Sequence, residues 1–333
     1  MSTQRRTLVT VIVLLLLLAV IFFISVNSGL VRLTPVETVH TLLGQGTPDA
    51  RLILFDIRLP RIVIALLVGA GFAVAGAIMQ GVSRNALADT GLLGINAGAG
   101  LAIVLYVVFG YGKLQYAPVV ALPAVAFVGA ALAALFVFLL ALKDGQLAPV
   151  RLVLVGIATG AGISAAMLFF TYRMNAYNYT FVKIWLTGSI WGTNWLYVQA
   201  ALLWVAVLVP LAVYKGYRIN LLTLGDPIAT GLGVAVQRER LVLMAVAVGL
   251  AGACVAVAGS IGFVGLIAPH LARRLFPADY RLLLPGAALL GAILVLTADT
   301  IGRTMAQPVE IPVGVVVAAV GAPYFLYLLI RKP

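Results

Sequence analysis

Long stretches free of Asp, Glu, Lys and Arg alternate with short polar connections along the whole chain. These windows run 7–31, 62–83, 90–112, 114–142, 152–172, 184–214, 241–272, 282–298 and 311–330. About 20 apolar residues suffice for a helix to cross the hydrocarbon core, so each window predicts a membrane-spanning helix. One window, 241–272, is longer than a single crossing needs and contains Gly259, Gly262, Gly265 and Pro269. Such residues interrupt membrane helices where neighbouring protein satisfies the freed backbone groups. Read as two segments, this window brings the count to ten.

Composition agrees with the pattern. Of 333 residues 63% are hydrophobic and only 10% are charged, which excludes an ordinary water-soluble domain. The expected fold class is an all-α polytopic membrane protein of about ten transmembrane helices, one transmembrane domain over 1–333. The basic opening resembles a signal peptide, but its apolar run is too long and lacks a small-x-small cleavage site. An uncleaved first helix is expected there. Cys254, the only cysteine, lies in an apolar window, so neither a disulfide framework nor a cysteine metal cluster is possible.

Net charge is +12. The basic residues stand singly between apolar runs, without the basic, aromatic-interleaved surface that nucleic acid requires. They instead fix orientation. Ten crossings place Arg5, Arg6, Arg84, Lys143, Arg151, Lys215, Arg218, Arg238, Arg240, Arg273, Arg274, Arg281, Arg331 and Lys332 on one side. That is 14 of the 22 basic residues, and the positive-inside tendency makes this side, with both termini, cytoplasmic. Nine crossings would strand the two ends on opposite sides. Arg58, Arg61 and Arg303 fall outside, against the tendency, with Arg32, Arg51, Lys113, Arg173 and Lys183.

Three function classes compete. An intramembrane enzyme needs a reactive constellation, and neither a His-Glu-x-x-His zinc motif nor a Gly-x-Ser-Gly nucleophile loop is present. The two histidines, His40 and His270, lie far apart in sequence. An ion-coupled carrier keeps ionisable residues at mid-membrane depth, whereas Asp89, Asp299 and Arg303 stand at window edges. The third class is the membrane half of a machine powered by separate subunits. This chain has no Gly-x-x-x-x-Gly-Lys-Ser/Thr phosphate loop of its own. Glycine clusters at 69–77, 91–100, 156–162 and 259–265 suit close helix packing, and equally helices that tilt against one another.

The longest basic cytoplasmic connection, 214–240, is a candidate surface for receiving work from a partner. Asp226 followed by Pro227 reads as a helix start, with Asp capping free amides and Pro fitting the first turn. About two turns follow before Gly231 and Gly233 end the element. An ordinary capped turn and a short helix that docks into a partner both fit this pattern.

Separated motifs together resemble the FecCD-type permeases, membrane subunits of bacterial ABC importers for iron–siderophore, haem and cobalamin. They are RLPR at 58–61, GAIMQGVSRNALADTGLLGINAGAG at 76–100, WLTGSIWG at 185–192 and LGDPIATGLGV at 224–234. GSIGFVGLIAPHLARRL at 259–275, ADTIGR at 298–303 and EIPVGVVVAAVGAPYFLYLL at 310–329 complete the set. Ala86 stands where the family commonly has proline.

The resemblance implies ten helices, a second permease chain (identical or related), two ATP-binding subunits and an extracytoplasmic substrate-binding protein, in the bacterial plasma membrane. It implies no catalytic residue and no cofactor, since siderophores chelate iron themselves. By resemblance, Leu224, Gly225, Asp226, Pro227, Ile228, Ala229, Thr230, Gly231 and Leu232 form the coupling helix region. Arg58, Arg61 and Arg303 match outward arginines that receive acidic residues of the binding protein. The loop 144–151 corresponds to the inner gate of the cobalamin permease, where Ala148, Pro149 and Val150 replace small hydroxyl residues. WLTGSIWGTNW and the ADTIGR region look most like the ferric siderophore branch, with hydroxamates suggested, while haem and cobalamin stay open. The tyrosine-rich segment 171–185 either lines the entrance or sits as an aromatic belt.

Overall fold

The computed structural model describes residues 3–29, 31, 33–110, 121–143, 146, 147 and 149–330. Helices dominate; a two-residue ladder pairs Leu142–Lys143 with Gln146–Leu147. Seven helical stretches among the described residues are long and apolar enough to cross a membrane, and Ile95–Phe109 and Val313–Tyr327 are shorter apolar helices.

The helix α4 (Leu59–Ser83) is the axis of the bundle, with every residue from Gly71 to Val82 buried. Around it pack α9 (Trp195–Thr223), α11 (Val236–Ala258), α12 (Val264–Leu275) and α13 (Tyr280–Met305). Glycine permits this crowding. A methyl group on Gly69 would overlap the Gly291 carbonyl of α13, and one on Gly76 would overlap Gly265 of α12. Backbones that touch in this way gain dispersion contacts, the main adhesive between helices in lipid.

A second layer pairs α5 (Ile95–Phe109) with α6 (Ala121–Ala141) through Gly98 and Gly129, and α7 (Pro149–Thr171) leans on both. The first helix, α1 (Thr3–Asn27), lies on α13, and α14 (Val313–Ile330) lies on α12 and α13. Short helices α2 (Pro35–Leu42), α3 (Pro48–Arg51) and α8 (Ala176–Leu186) occupy the connections. α7 is the least covered, and nothing stands within 4 Å of where side chains on Gly160 or Gly162 would begin.

The window 241–272 does divide. Its break spans 259–263, with Gly259 at φ +67° and Phe263 at φ +65°. A left-handed phenylalanine costs about 1–2 kcal/mol, so the surroundings must hold it; its ring lies against Gly321 of α14. The Gly314 N–H donates to the Gly188 carbonyl at 3.0 Å, while Gly188 and Gly259 approach backbone atoms of Ser260 and Trp185 respectively. Three helix interruptions therefore meet inside protein rather than lipid, as a dry interior requires.

Three boundaries differ from the sequence reading. The window 184–214 begins inside α8 and turns before α9 starts at Trp195. The window 90–112 opens with a 3₁₀ turn, Thr90–Leu93, so its helix is shorter. The connection 214–240 is mostly helix: α9 continues to Thr223 and α11 begins at Val236, leaving twelve residues, 224–235, between them.

Candidate functional site

The two ends of α4 carry the two candidate regions. At its start, a π-helical stretch, Leu52–Arg58, feeds directly into α4, so Arg58 and Arg61 lie at the junction. Such stretches are rare and recur at functional sites. Arg58 is 4% exposed and donates to the carbonyls of Val26 and Val31, at and just beyond the end of α1. The last carbonyls of a helix lack partners and carry the negative end of its dipole, so a cation suits them.

Arg61 donates to Asp299 at 2.9 Å and to Glu310 at 2.8 Å. Arg303, in the last turn of α13, lies 3.0 Å from the other Asp299 oxygen, as an ion pair without hydrogen-bond alignment. It also donates to the Ser25 hydroxyl at 2.6 Å and to the Ser28 carbonyl at 3.2 Å. Arg61 and Arg303 thus share one fully buried carboxylate, Asp299, and Arg61 also holds Glu310, whose side chain is 37% exposed, while Arg58 is bonded to backbone carbonyls alone. The expected outward arginines are turned inward and internally paired in the isolated chain; Arg61 and Arg303 also reach a cavity of about 570 Å³, lined further by Ser189, Trp191, Gln307 and Glu310. Tyr172, Tyr177 and Trp191 are largely exposed nearby in sequence.

The far end of α4 is capped by Arg84, itself left-handed at φ +52°. Its guanidinium meets Asp226 at 2.5 Å. Asp226 opens α10 (Asp226–Gly231), and Pro227 takes the first turn as expected. The expected Asp cap is not made. Gly225 is the cap residue, with no side-chain bond, because the Asp226 carboxylate is taken by Arg84 and by Arg240 at 2.6 and 3.0 Å. Arg240 is among the largest fully buried side chains in the protein. Lys215 of α9 meets Glu239 of α11 at 2.8 Å beside it. Leu224, Ile228 and Leu232 are open to solvent at four-residue intervals, with Ala229 packed beneath.

Arg6 and Arg274 line one shallow pocket, and Arg273 donates to Gln80 near the Arg84 end of α4. Arg84, Lys215, Arg240 and Arg273 thus lie toward the α10 end, at the other end of α4 from Arg58 and Arg61. Of the gate residues, Ala148 lies outside the described residues, Pro149 begins α7 and Val150 is exposed. Arg32, Lys113, Arg331 and Lys332 also lie outside the described residues. Asp299, Glu310, Ser25, Arg84 and Arg240 were not legible as partners; only the window-edge position of Asp299 signalled it.

A bundle of apolar helices with interrupted segments packed at its centre, a charged cluster at one end and a tethered short helix at the other defines a multi-pass membrane permease. The chain belongs to the FecCD transport family, which matches residues 16–331. It is 48% identical over 314 residues to the iron(3+)-hydroxamate import system permease protein FhuG of Bacillus subtilis, covering 93% of each chain. The hemin transport system permease protein HmuU of Yersinia pestis is 41% identical over 310 residues, covering 92% of this chain and 91% of that one. A solved metal-chelate type ABC transporter in an inward-facing conformation superposes with TM-score 0.83 at 30% identity, over 96% of this chain and 98% of that one.

Proposed function

We propose that this chain is the membrane-spanning permease subunit of a bacterial ABC importer for an iron(III)–siderophore, with hydroxamates first among the candidates. In this reading it lies in the plasma membrane with ten crossings and both termini in the cytoplasm. A second permease chain completes the pathway, and two ATP-binding subunits dock on the α10 end. An external binding protein delivers the chelate at the arginine end.

The observation that carries the reading is the end-to-end likeness to the hydroxamate permease. Geometry supports the division of labour. The open apolar residue Ile228 on α10, with Leu224 and Leu232 flanking the helix, suits a protein partner, since α10 is held by ion pairs more than by burial. At the other end, Arg61 shares its charge with the half-open Glu310, so acidic groups of a binding protein can compete for it. Arg58 and Arg303 add positive charge behind it, which steers an acidic partner.

The test is uptake of radiolabelled iron by vesicles holding the chain with its ATPase subunits, partner permease and binding protein. Iron(III)–hydroxamate should accumulate only with ATP. Accumulation of haem with no hydroxamate uptake would replace the substrate, and uptake without ATPase subunits would remove the ABC assignment.

A further inference from the structure

Asp226 is held from two directions by different helices. Arg240 grips it with two hydrogen bonds from the second turn of α11, and Arg84 adds a third from the end of α4. The α10 helix itself has only six residues and one buried side chain, Ala229. Packing alone therefore fixes it weakly, and the carboxylate is its main attachment. Charge-assisted hydrogen bonds are roughly twice as strong as neutral ones, and a bidentate pair also fixes direction.

Arg84 caps α4, the axis of the bundle. The 25 residues of this helix span about 37 Å, more than the hydrocarbon thickness. Backbone contacts at Gly69 and Gly76 lock it to α13 and α12 without side chains that could yield. Its opposite end carries Arg61, bonded to Asp299 and Glu310. One stiff element thus has an ion-pair joint at each end.

We infer that the Arg84–Asp226–Arg240 joint transmits displacement of α10 into α4, and that α4 carries it as a strut to the Arg61 cluster on the far face. This rests on the permease reading and adds to it the route by which work done at α10 reaches the opposite end. Arg84 and Arg240 are positioning residues: they act through Asp226. Their roles differ. Arg240 is buried and holds α10 to α11, whereas Arg84, with a side chain 35% exposed, is the link to α4. Losing Arg84 leaves Asp226 paired, so α10 stays folded while the strut is disconnected.

The experiment uses the complete complex with its ATPase subunits, and Gln307→Cys as a reporter in the cavity beside Arg61. In the parent complex, ATP should change the rate at which a thiol reagent modifies this cysteine. Arg84→Gln should reduce that change about 5-fold or more, within the usual range of coupling between sites, and lower transport per ATP in parallel. Arg84→Lys should restore most of it, which a general loss of fold would not allow. Joining cysteines at 84 and 226 with a short bifunctional thiol reagent should also restore coupling. An undiminished response in Arg84→Gln, or no ATP response in the parent complex, overturns the strut. Loss of transport on cross-linking means the joint must open, and overturns it too. Failure of the chain to assemble with any ATPase subunit would instead sink the permease reading.

Discussion

Asp299→Asn tests whether the arginine cluster is a structural unit. The substitution keeps shape and removes one charge from a site where the carboxylate is 1% exposed and two guanidinium groups lie within 3.0 Å. Breaking a buried pair by removing one partner costs about 3–5 kcal/mol, because the remaining charge stays desolvated. Arg61 keeps Glu310, so Arg303 is the group left uncompensated, and the lower part of that range applies. For a chain of 333 residues each kcal/mol moves the midpoint about 1.4 °C, giving a fall of about 4–6 °C. Cys254 supplies the assay. It is the only cysteine and is fully buried, so a thiol-reactive dye reports unfolding as temperature rises in detergent. Adding Arg303→Gln to Asp299→Asn should recover part of the loss, since the orphaned charge goes with it. A midpoint within about 1 °C of the parent for Asp299→Asn would show that water or lipid headgroups already solvate this cluster.

Three further outcomes follow from the packing and the termini. Gly76→Val should lower stability by about 3 kcal/mol or more, because its branches meet the Gly265 backbone, whereas Gly160→Ala should stay within about 0.5 kcal/mol; equal effects in the dye assay would contradict the backbone contact. Asp279 caps α13, and although burial pushes its carboxyl up, bonds from Arg281 and Asn220 and the Arg281 charge hold it below the usual range. A lowered carboxyl stabilises above its unfolded pKa and loses that contribution as pH falls through the folded value, so Asp279→Ala should cost about 0.5–2 kcal/mol near neutral pH. The difference from the parent should shrink below about pH 4, and a gap unchanged in acid would reject the cap. Cysteines placed beside Arg84 and Arg218 should label from the cytoplasm and one beside Lys183 only from outside; labelling of 84 and 183 from one side would break the orientation.

The break at 259–263 was legible because glycine and proline inside an apolar run have few other uses. Helix ends were less legible. A charge-free window ends at its first lysine or arginine, yet α9 runs past Lys215 and Arg218 to Thr223, since long basic side chains reach out of the hydrocarbon while the helix continues. The arginines were visible as charges on the unexpected side. Their partners were not: Arg61 pairs with residues 238 and 249 positions away, and Arg303 with residues near the end of α1. The same limit explains Asp226. Local pattern favours a helix cap, but the nearby arginines, one of them distant in sequence, compete for its oxygens more strongly than backbone amides do.

The pairing of α4 with α12 also sets a schedule for making this protein. At 12 residues α12 is about 18 Å long, too short to cross the bilayer without the broken stretch 259–263 before it, and its last turn carries Arg273 and Arg274. It cannot enter as an independent span and must be received by a groove already present. That groove is on α4, where Gln80 donates to the Gly265 carbonyl 185 residues later in the chain. At ribosomal speeds of about 5–20 residues per second, Gln80 waits roughly 10–40 s for its partner. During that interval a polar amide and a glycine-lined trough belong to the membrane-inserted nascent chain, and the translation apparatus must keep other helices out of it.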